Sequence, residues 1–343
     1  MSCQWKDKVL AVTEAGFESL ALELFQFQYQ NNLVYKEYTD ALHIKPVSVK
    51  SISEIPFLPI RFFKSHRVQT TAFDPAAVFE SSGTTGTVNS HHYVKDTDLY
   101  KQSFKKAFEI FYGNINDWCI IGLLPSYLER QNSSLVFMIN ELIRLSGYQS
   151  SGFYLDEFEK LYSTLKELEA KQQKTLLIGV TFALLDFADF YSKKENSPLK
   201  HTVIMETGGM KGRRKELIRE EVHDILKKAF GISSVHSEYG MTELLSQAYS
   251  NRDGIFRCPP WMKIVLRDEE DPLCVRHVSD TFKVSDTFKV SDTGVINVID
   301  LSNIYSCCFI ATDDAGKLYP DGSFEVLGRI DNSDLRGCSL MIL

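Results

Sequence analysis

A short run of small residues, Ser81-Ser-Gly-Thr-Thr-Gly86, has the composition of a phosphate-binding loop. Four of its six residues carry hydroxyl groups, and its glycines let the backbone approach an anion so that N–H and O–H donors point at it. The candidate phosphate ligands are Ser81, Ser82, Gly83, Thr84, Thr85 and Gly86. The same composition also fits a surface turn between two strands, so the interpretation depends on later segments.

A second candidate segment is Thr207-Gly-Gly-Met210. Because Gly208 and Gly209 have no side chains, the backbone there could lie flat against a planar base. Adjacent glycines also occur in ordinary turns, so this segment indicates a base-binding loop only in combination with others.

A third segment, Glu238-Tyr-Gly-Met-Thr-Glu243, combines an aromatic ring, a hydroxyl and a carboxylate. Tyr239 and Gly240 are candidate nucleotide-binding residues, because the ring could stack on a base. Thr242 could bond an α-phosphate, and Glu243 could hold Mg²⁺ as a hard oxygen ligand. Alternatively, Glu243 is a carboxylate stabilised by the dipole at a helix N-terminus.

The fourth segment joins Ile310-Ala-Thr-Asp-Asp314 to Gly328-Arg-Ile-Asp331 further along. The Asp314 carboxylate could accept both ribose hydroxyls, and the planar guanidinium of Arg329 could bind ribose or phosphate. Taken singly, the two are equally consistent with a turn aspartate and a surface arginine.

These segments follow predicted strands in an alternation that is typical of α/β proteins. Buried strands are predicted over 118–124, 174–180 and 200–205, with helices over 133–146 and 214–230 between or after them. This order predicts a mostly parallel sheet flanked by helices, with ligands beyond the carboxyl ends of the strands.

Three regions are predicted from the changes in pattern along the chain. Residues 1–75 form a helical segment and connector, 76–250 an α/β ATP-binding core, and 251–343 a small β-rich subdomain ending in a hinge-like tail. A tandem hexapeptide over 278–293 is interpreted as a local duplication in a loop or hairpin, because its aspartates match no calcium-loop spacing.

Composition excludes several classes of function. The 343 residues include 38 Lys and Arg against 45 Asp and Glu without a long basic block, so nucleic acid and anionic membranes are not expected partners. No apolar run reaches the ~18 residues of a membrane span, and a cytoplasmic protein is predicted. Seven cysteines without CxxC spacing argue against a disulfide framework or a zinc site.

The order SSGTTG, TGGM, EYGMTE and ATDD followed by LGRID resembles the adenylate-forming superfamily of acyl-CoA synthetases, luciferases and peptide-synthetase adenylation domains. The resemblance extends from about residue 76 to the C-terminus. It implies the large-domain fold of these enzymes and a reaction that joins a carboxylic acid to AMP from Mg·ATP with release of pyrophosphate.

Two departures from that superfamily narrow the expectation. Its members usually carry Pro-Lys soon after the phosphate loop, whereas this chain has Val88-Asn89-Ser90, so His91 or His92 is the candidate for charge stabilisation there. Its members also continue past the hinge into a small mobile domain with a catalytic lysine. This sequence ends twelve residues after Asp331, and that domain is therefore predicted to be absent.

The ending Asp334-Leu-Arg-Gly-Cys338 resembles the acyl-protein synthetases of the LuxE type. The resemblance implies that Cys338 takes the acyl group, and Arg336 could lower the pKa of its thiol. The alternative is an inert cysteine. The expected substrate is an apolar, fatty acid, and the acceptor is a reductase, a carrier protein or CoA.

Three other functions stay open at this point. A CoA ligase of the phenylacetate type that lacks its C-terminal domain would form acyl-CoA without Cys338. A non-catalytic nucleotide-binding scaffold would explain the missing lysine after the loop. An acyltransferase acting on a preformed thioester would leave the ATP motifs without a purpose.

Overall fold

The computed structural model describes residues 2–81, 88–124, 132–155, 157–194, 197–208, 217–276 and 291–330. Its α-helices are α1 (Ser2–Leu10), α2 (Glu14–Asn31), α3 (Leu33–Ala41), α4 (Phe62–Ser65), α5 (Thr97–Tyr112), α6 (Ser134–Ser146), α7 (Phe158–Ala170), α8 (Thr181–Tyr191) and α9 (Arg219–Phe230). Short 3₁₀ turns occupy Pro46–Ser48, Ile52–Glu54 and Ile115–Asp117.

The strands of the described residues are β1 (Leu58–Pro59), β2 (Ala77–Glu80), β3 (His91–Val94), β4 (Cys119–Leu123), β5 (Gly152–Phe153), β6 (Thr175–Gly179), β7 (Thr202–Glu206), β8 (His236–Tyr239), β9 (Ala248–Ser250), β10 (Met262–Arg267), β11 (Val275–Arg276), β12 (Asp292–Asp300), β13 (Phe309–Leu318) and β14 (Phe324–Arg329). Most of the predicted hexapeptide duplication lies outside the described residues.

Contacts divide the chain into two compact units. Unit 1 contains Met1–Ser103, Thr242–Ser246 and Arg257–Leu343. Unit 2 contains Phe104–Met241 and Gln247–Phe256. The chain therefore leaves unit 2 within the predicted nucleotide segment, between Tyr239 and Glu243.

Unit 2 is built on a sheet in the order β5-β4-β6-β7-β8-β9. Its first five strands pair in parallel, and only β9 runs antiparallel to its neighbour. The predicted strand over 174–180 is observed as Thr175–Gly179, where all five residues are buried. Such uninterrupted burial requires cover on both faces, which explains why the sequence of this strand does not alternate between apolar and polar residues.

Helices cover both faces of the unit 2 sheet. Ile121 of β4 belongs to a cluster that also contains Leu165 of α7, Leu184 of α8 and Phe230 of α9. Gly122, which points to the opposite face, lies close to Phe153 and to Ile139 of α6. The parallel sheet between helices confirms the predicted α/β class.

Unit 1 contains a mainly antiparallel sheet in the order β1-β13-β12-β10-β11. Strand β13 pairs in parallel with β1 at Ile310 and Ala311, and its later residues pair antiparallel with β14. A separate hairpin joins β2 to β3. The C-terminal part of the chain is thus β-rich, as the sequence predicts.

The N-terminal helices belong to unit 1 because polar side chains attach them to the connection between β12 and β13. Gln28 of α2 donates to the carbonyls of Asn303 and Ile304 at 3.0 and 2.9 Å, and its amide oxygen accepts from Cys308 N–H at 2.9 Å. Asn32, the N-cap of α3, donates to the Ser306 carbonyl at 3.0 Å. These bonds fix the connection that carries Asn303.

In the described part of the chain, no helix combines the length and the apolar character that crossing a bilayer requires.

Candidate active site

Side chains from other elements of unit 1 fix the position of the Thr242–Ser246 segment. The Asn303 amide donates to the Glu243 carbonyl at 2.6 Å, and the His92 Nδ1 lies 2.8 Å from the Thr242 carbonyl. Further along the segment, the Asp300 carboxylate accepts from Leu245 N–H at 2.7 Å and from the Ser246 hydroxyl at 2.6 Å. Both ends of the segment are therefore anchored by side chains from other elements of the unit.

His92 is part of this anchor and not a ligand for phosphate. Its ring is 1% exposed, with Nδ1 at the Thr242 carbonyl and Nε2 2.9 Å from Asn303 Oδ1. Burial lowers the pKa of His92 to about 4, although its two polar contacts favour the charged ring. The prediction that His92 meets the phosphate charge is therefore wrong, because its ring is buried and protein oxygens lie at both of its nitrogens; the other candidate, His91, stays a prediction.

Replacing Asn303 by alanine is expected to lower the free energy of unfolding by about 2–4 kcal/mol, because it leaves the buried Glu243 carbonyl without its donor. Urea denaturation measures this change. Asn31→Ala is the matched control, since the exposed Asn31 amide also donates to a carbonyl, that of Phe27, and its loss should cost less than about 0.5 kcal/mol. Equal effects of the two substitutions would contradict the anchoring role of Asn303.

The Glu243 side chain is 5% exposed and lies among polar and charged groups of unit 1. Burial raises its pKa, whereas a hydrogen bond from Ser90 and the charges of Arg329 and Lys64 act in the opposite direction. The net rise indicates that the negative charge of Glu243 is incompletely compensated. A bound cation would supply the missing compensation.

Ser90 connects Glu243 to the base of the predicted phosphate loop. Ser81 and Ser90 face each other across the β2–β3 hairpin, where the Ser81 hydroxyl accepts from Ser90 N–H at 2.9 Å and Ser81 N–H donates to the Ser90 carbonyl at 3.2 Å. Ser82, Gly83, Thr84, Thr85 and Gly86 lie outside the described residues.

Asp314 and Arg329 face each other on β13 and β14. Arg329 Nε lies 3.5 Å from Asp314 Oδ1, and Asp314 is 6% exposed whereas the Arg329 side chain is mostly exposed. In unit 1 the charge of Arg329 therefore acts on Glu243, and Arg329 also pairs with Asp314. Cys338 lies outside the described residues.

In unit 2, a buried carboxylate holds the turn that begins the TGG segment. Glu206, at the end of β7, accepts from Gly208 N–H at 2.7 Å and from the Thr181 hydroxyl at 3.2 Å. Gly208 has φ of +71°, a conformation that favours glycine. Burial opposes ionisation of Glu206, but hydrogen bonds from His223 and Ser237 and the Arg219 charge hold its pKa at about 2. Gly209 lies outside the described residues.

The Tyr239 ring is 8% exposed and contacts Phe256 at a centroid distance of 5.9 Å in unit 2. Gly240 follows it, and a Cβ atom there would collide with the Glu238 carboxyl, so a larger residue would require that side chain to move. Burial and the nearby Glu206 charge raise the pKa of Glu238 to about 8. Two buried carboxyl groups thus lie close together with opposite protonation states at pH 7.

Glu238→Gln is expected to make the protein more stable at pH 8 but not at pH 5. The folded-state pKa of Glu238 is raised, so its contribution to stability is complete below the unfolded pKa of 4.5 and is lost as the pH rises towards 8. Glutamine does not titrate, and the difference between variant and wild type should grow by about 3 kcal/mol over this window. Chemical denaturation at both pH values tests this, and a constant difference would contradict the assigned protonation.

Several of these residues are not apparent in the motifs. Contacts made by the fold determine the roles of His92, Asn303, Asp300 and Glu206. The residues next to them in the sequence form no catalytic motif. Glu206 and Glu238 could have been noticed because each is a carboxylate immediately before a candidate loop, at the end of a predicted strand.

Most of the chain is similar to known proteins. A family model described as acyl-protein synthetase, LuxE, matches residues 12–343. A long-chain-fatty-acid–luciferin-component ligase from Aliivibrio fischeri is 25% identical over 346 residues, which cover 94% of this chain and 86% of the relative. A ligase of the same name from Vibrio harveyi is 21% identical over 336 residues, covering 92% of this chain and 84% of the relative.

Among solved structures, ATP-bound MatB from Rhodopseudomonas palustris is similar with a TM-score of 0.52 and 17% identity. The match covers 76% of this chain and 50% of MatB, so the chain spans about half the length of that structure. The similarity confirms the predicted large-domain fold.

Proposed function

The chain belongs to the LuxE acyl-protein synthetase family, and on that premise we propose that it activates a long-chain fatty acid with ATP and transfers the acyl group to a thiol. The fatty acid follows from the names of the two curated relatives. The observation that carries the proposal is the grouping of Glu243, Asp314 and Arg329 in unit 1, since these residues match the nucleotide motifs of adenylate-forming enzymes.

Each part of the nucleotide has a proposed ligand. The ribose hydroxyls donate to Asp314, the Thr242 hydroxyl bonds the α-phosphate, and Arg329 stabilises the charge that develops there. The amides and hydroxyls of the phosphate loop bind the β- and γ-phosphates. The backbone of the glycines and the ring of the tyrosine contact the base. The residues assigned to these two roles are Ser81, Ser82, Gly83, Thr84, Thr85 and Gly86 for phosphate, and Gly208, Gly209, Tyr239 and Gly240 for the base.

Glu243 is the proposed ligand of Mg²⁺. Its carboxylate is buried and incompletely compensated, and among the described residues no cluster of three His, Cys, Asp or Glu side chains could hold an ion by itself. A single carboxylate fits Mg²⁺, which commonly binds through one or two carboxylates together with substrate phosphates. When bound, the ion neutralises phosphate charge.

In the first proposed step, a carboxylate oxygen of the fatty acid forms a bond to the α-phosphorus. The bond from that phosphorus to the bridging oxygen breaks, and its electron pair leaves with pyrophosphate. The acid reacts in its ionised form, so no general base is needed, and the protein contributes positioning and electrostatic stabilisation.

In the second proposed step, the Cys338 thiolate attacks the acyl carbonyl. A carbon–sulfur bond forms, the carbon–oxygen bond to AMP breaks, and AMP departs with that electron pair. The acyl group then passes from the thioester to the final acceptor, a reductase, a carrier protein or CoA.

Isotope exchange between ATP and pyrophosphate tests the proposal. Exchange should appear only when Mg²⁺ and a fatty acid are both present, because it reports reversible formation of the acyl-adenylate. Absence of exchange with every fatty and aromatic acid would contradict the function and favour a nucleotide-binding scaffold. Formation of acyl-CoA by the Cys338→Ser variant would instead favour a CoA ligase.

A further inference from the structure

Helix α4 lies beside both parts of unit 1 that carry the candidate nucleotide ligands. The strand before it, β1, pairs in parallel with β13, and Ile60 N–H extends this pairing by donating to the Ala311 carbonyl at 2.9 Å. Arg61 Nε lies 3.2 Å from Asp313 Oδ2, next to the proposed ribose ligand Asp314. The start of α4 is therefore fixed to the strand that carries Asp314.

The middle of α4 is fixed to the Glu243 segment. Phe63 is fully buried and meets the His92 ring edge to face, with the ring centroids 5.8 Å apart. His92 in turn contacts the Thr242 carbonyl at 2.8 Å. Lys64 follows Phe63 directly, and its side chain is exposed whereas Phe63 is not. Lys64 therefore lies on a helix that packs beside the Glu243 segment, and its charge acts on the Glu243 carboxylate together with that of Arg329.

A positive charge is needed near the departing pyrophosphate, but the segment after the phosphate loop, where a lysine is expected, does not supply one. The stretch 81–90 contains no Lys or Arg, although the departing pyrophosphate carries several negative charges. Of the two cations that act on Glu243, Arg329 is engaged with Asp314 at 3.5 Å. Lys64, on a helix attached to both halves of the candidate site, is the cation placed to meet the phosphates.

We propose that Lys64 is a catalytic residue that binds the β- and γ-phosphates of ATP and stabilises the charge on departing pyrophosphate. This inference rests on the proposed function and assigns a residue to its first step. The ammonium keeps its proton and donates hydrogen bonds to phosphate oxygens, while the α-phosphorus to bridging-oxygen bond breaks as described above. A mobile, strongly hydrated point charge such as lysine suits a group that must be released after each turnover.

The test compares ATP and AMP binding by calorimetry in the presence of Mg²⁺. Lys64→Ala should weaken ATP binding by about tenfold or more and leave AMP binding within about twofold, because AMP lacks the phosphates that Lys64 meets. Fatty-acid-dependent exchange should fall by about 100-fold. Lys64→Arg, which keeps the charge, should restore most of the ATP affinity. Lys45→Ala, at another exposed lysine of unit 1, is the control and should change neither affinity.

Equal weakening of ATP and AMP binding by Lys64→Ala would show a general structural effect and overturn the proposal. So would unchanged ATP affinity. The binding measurement does not depend on turnover, and it separates the two claims: wild-type protein that binds ATP without exchange would contradict the proposed function, while the ATP and AMP affinities would still decide the role of Lys64.

Discussion

Replacing Glu243 by glutamine is expected to lower fatty-acid-dependent ATP–pyrophosphate exchange by about 1,000-fold. Glutamine keeps the shape of the side chain but removes the anionic oxygen that Mg²⁺ requires as a hard ligand. The measurement is the exchange rate at saturating ATP and fatty acid, with the Mg²⁺ concentration varied.

Loss of folding does not explain such a result. Burial raises the pKa of Glu243, which means that the folded state disfavours its charged form at neutral pH. A neutral glutamine should therefore leave the free energy of unfolding at pH 7 unchanged or slightly higher.

The control for Glu243→Gln is Glu109→Gln, which breaks only an exposed pair with Lys105 on α5 and should leave exchange unaffected. Near-normal exchange by Glu243→Gln at low Mg²⁺ would contradict the assignment of this carboxylate as the metal ligand.

The second large effect is expected for Cys338→Ser. The variant should keep its exchange rate, because activation precedes the thiol step, but it should lose essentially all covalently bound acyl group. A hydroxyl is far less ionised than a thiol at neutral pH and is a poor substitute as the nucleophile. The measurement is retention of radiolabelled fatty acid on denatured, washed protein.

Burial argues against several other cysteines as the acceptor. It raises the pKa of Cys307 to about 12 and also raises the thiol pKa values of Cys119, Cys258 and Cys308. Cys274 is exposed and provides the matched control, so Cys274→Ser should keep both exchange and label. Label that persists in Cys338→Ser, or disappears in Cys274→Ser, would contradict the role of Cys338.

The sequence predicts much of this fold because the relevant signals are local. Continuous apolar runs such as 174–180 can be interpreted as strands buried on both faces, and β6 lies there with all residues buried. The N-cap of α5 is also local, since Asp96 accepts from Asp98 N–H at 2.8 Å. The sequence likewise predicts Glu243, Asp314 and Arg329 as site residues, because each lies in a short motif.

The surroundings of those residues could not be predicted, because they depend on pairs that are far apart in the chain. His92 and Asn303, which contact each other and anchor Glu243, are 211 positions apart. From the sequence, His92 is one of two adjacent histidines in a plausible place for a cation. Only the fold buries it and turns both ring nitrogens towards protein oxygens, which reverses the interpretation.

The N-terminal helices illustrate the same limit. Their apolar spacing predicts helices, but it does not reveal that Gln28 binds the backbone some 275 residues later. Lys64 illustrates it as well, since a lysine in the short segment Ile60 to Lys64 carries no signal until β1 is paired with β13.

A single-turnover reaction with radiolabelled long-chain fatty acid and Mg·ATP tests the central claim most directly. Wild-type protein should become labelled only with ATP present, and one AMP should form for each acyl group bound. Neutral hydroxylamine should release the label, as expected for a thioester. Absence of ATP-dependent label, or label that hydroxylamine does not release, would contradict an acyl-adenylate that is passed to a cysteine of this chain.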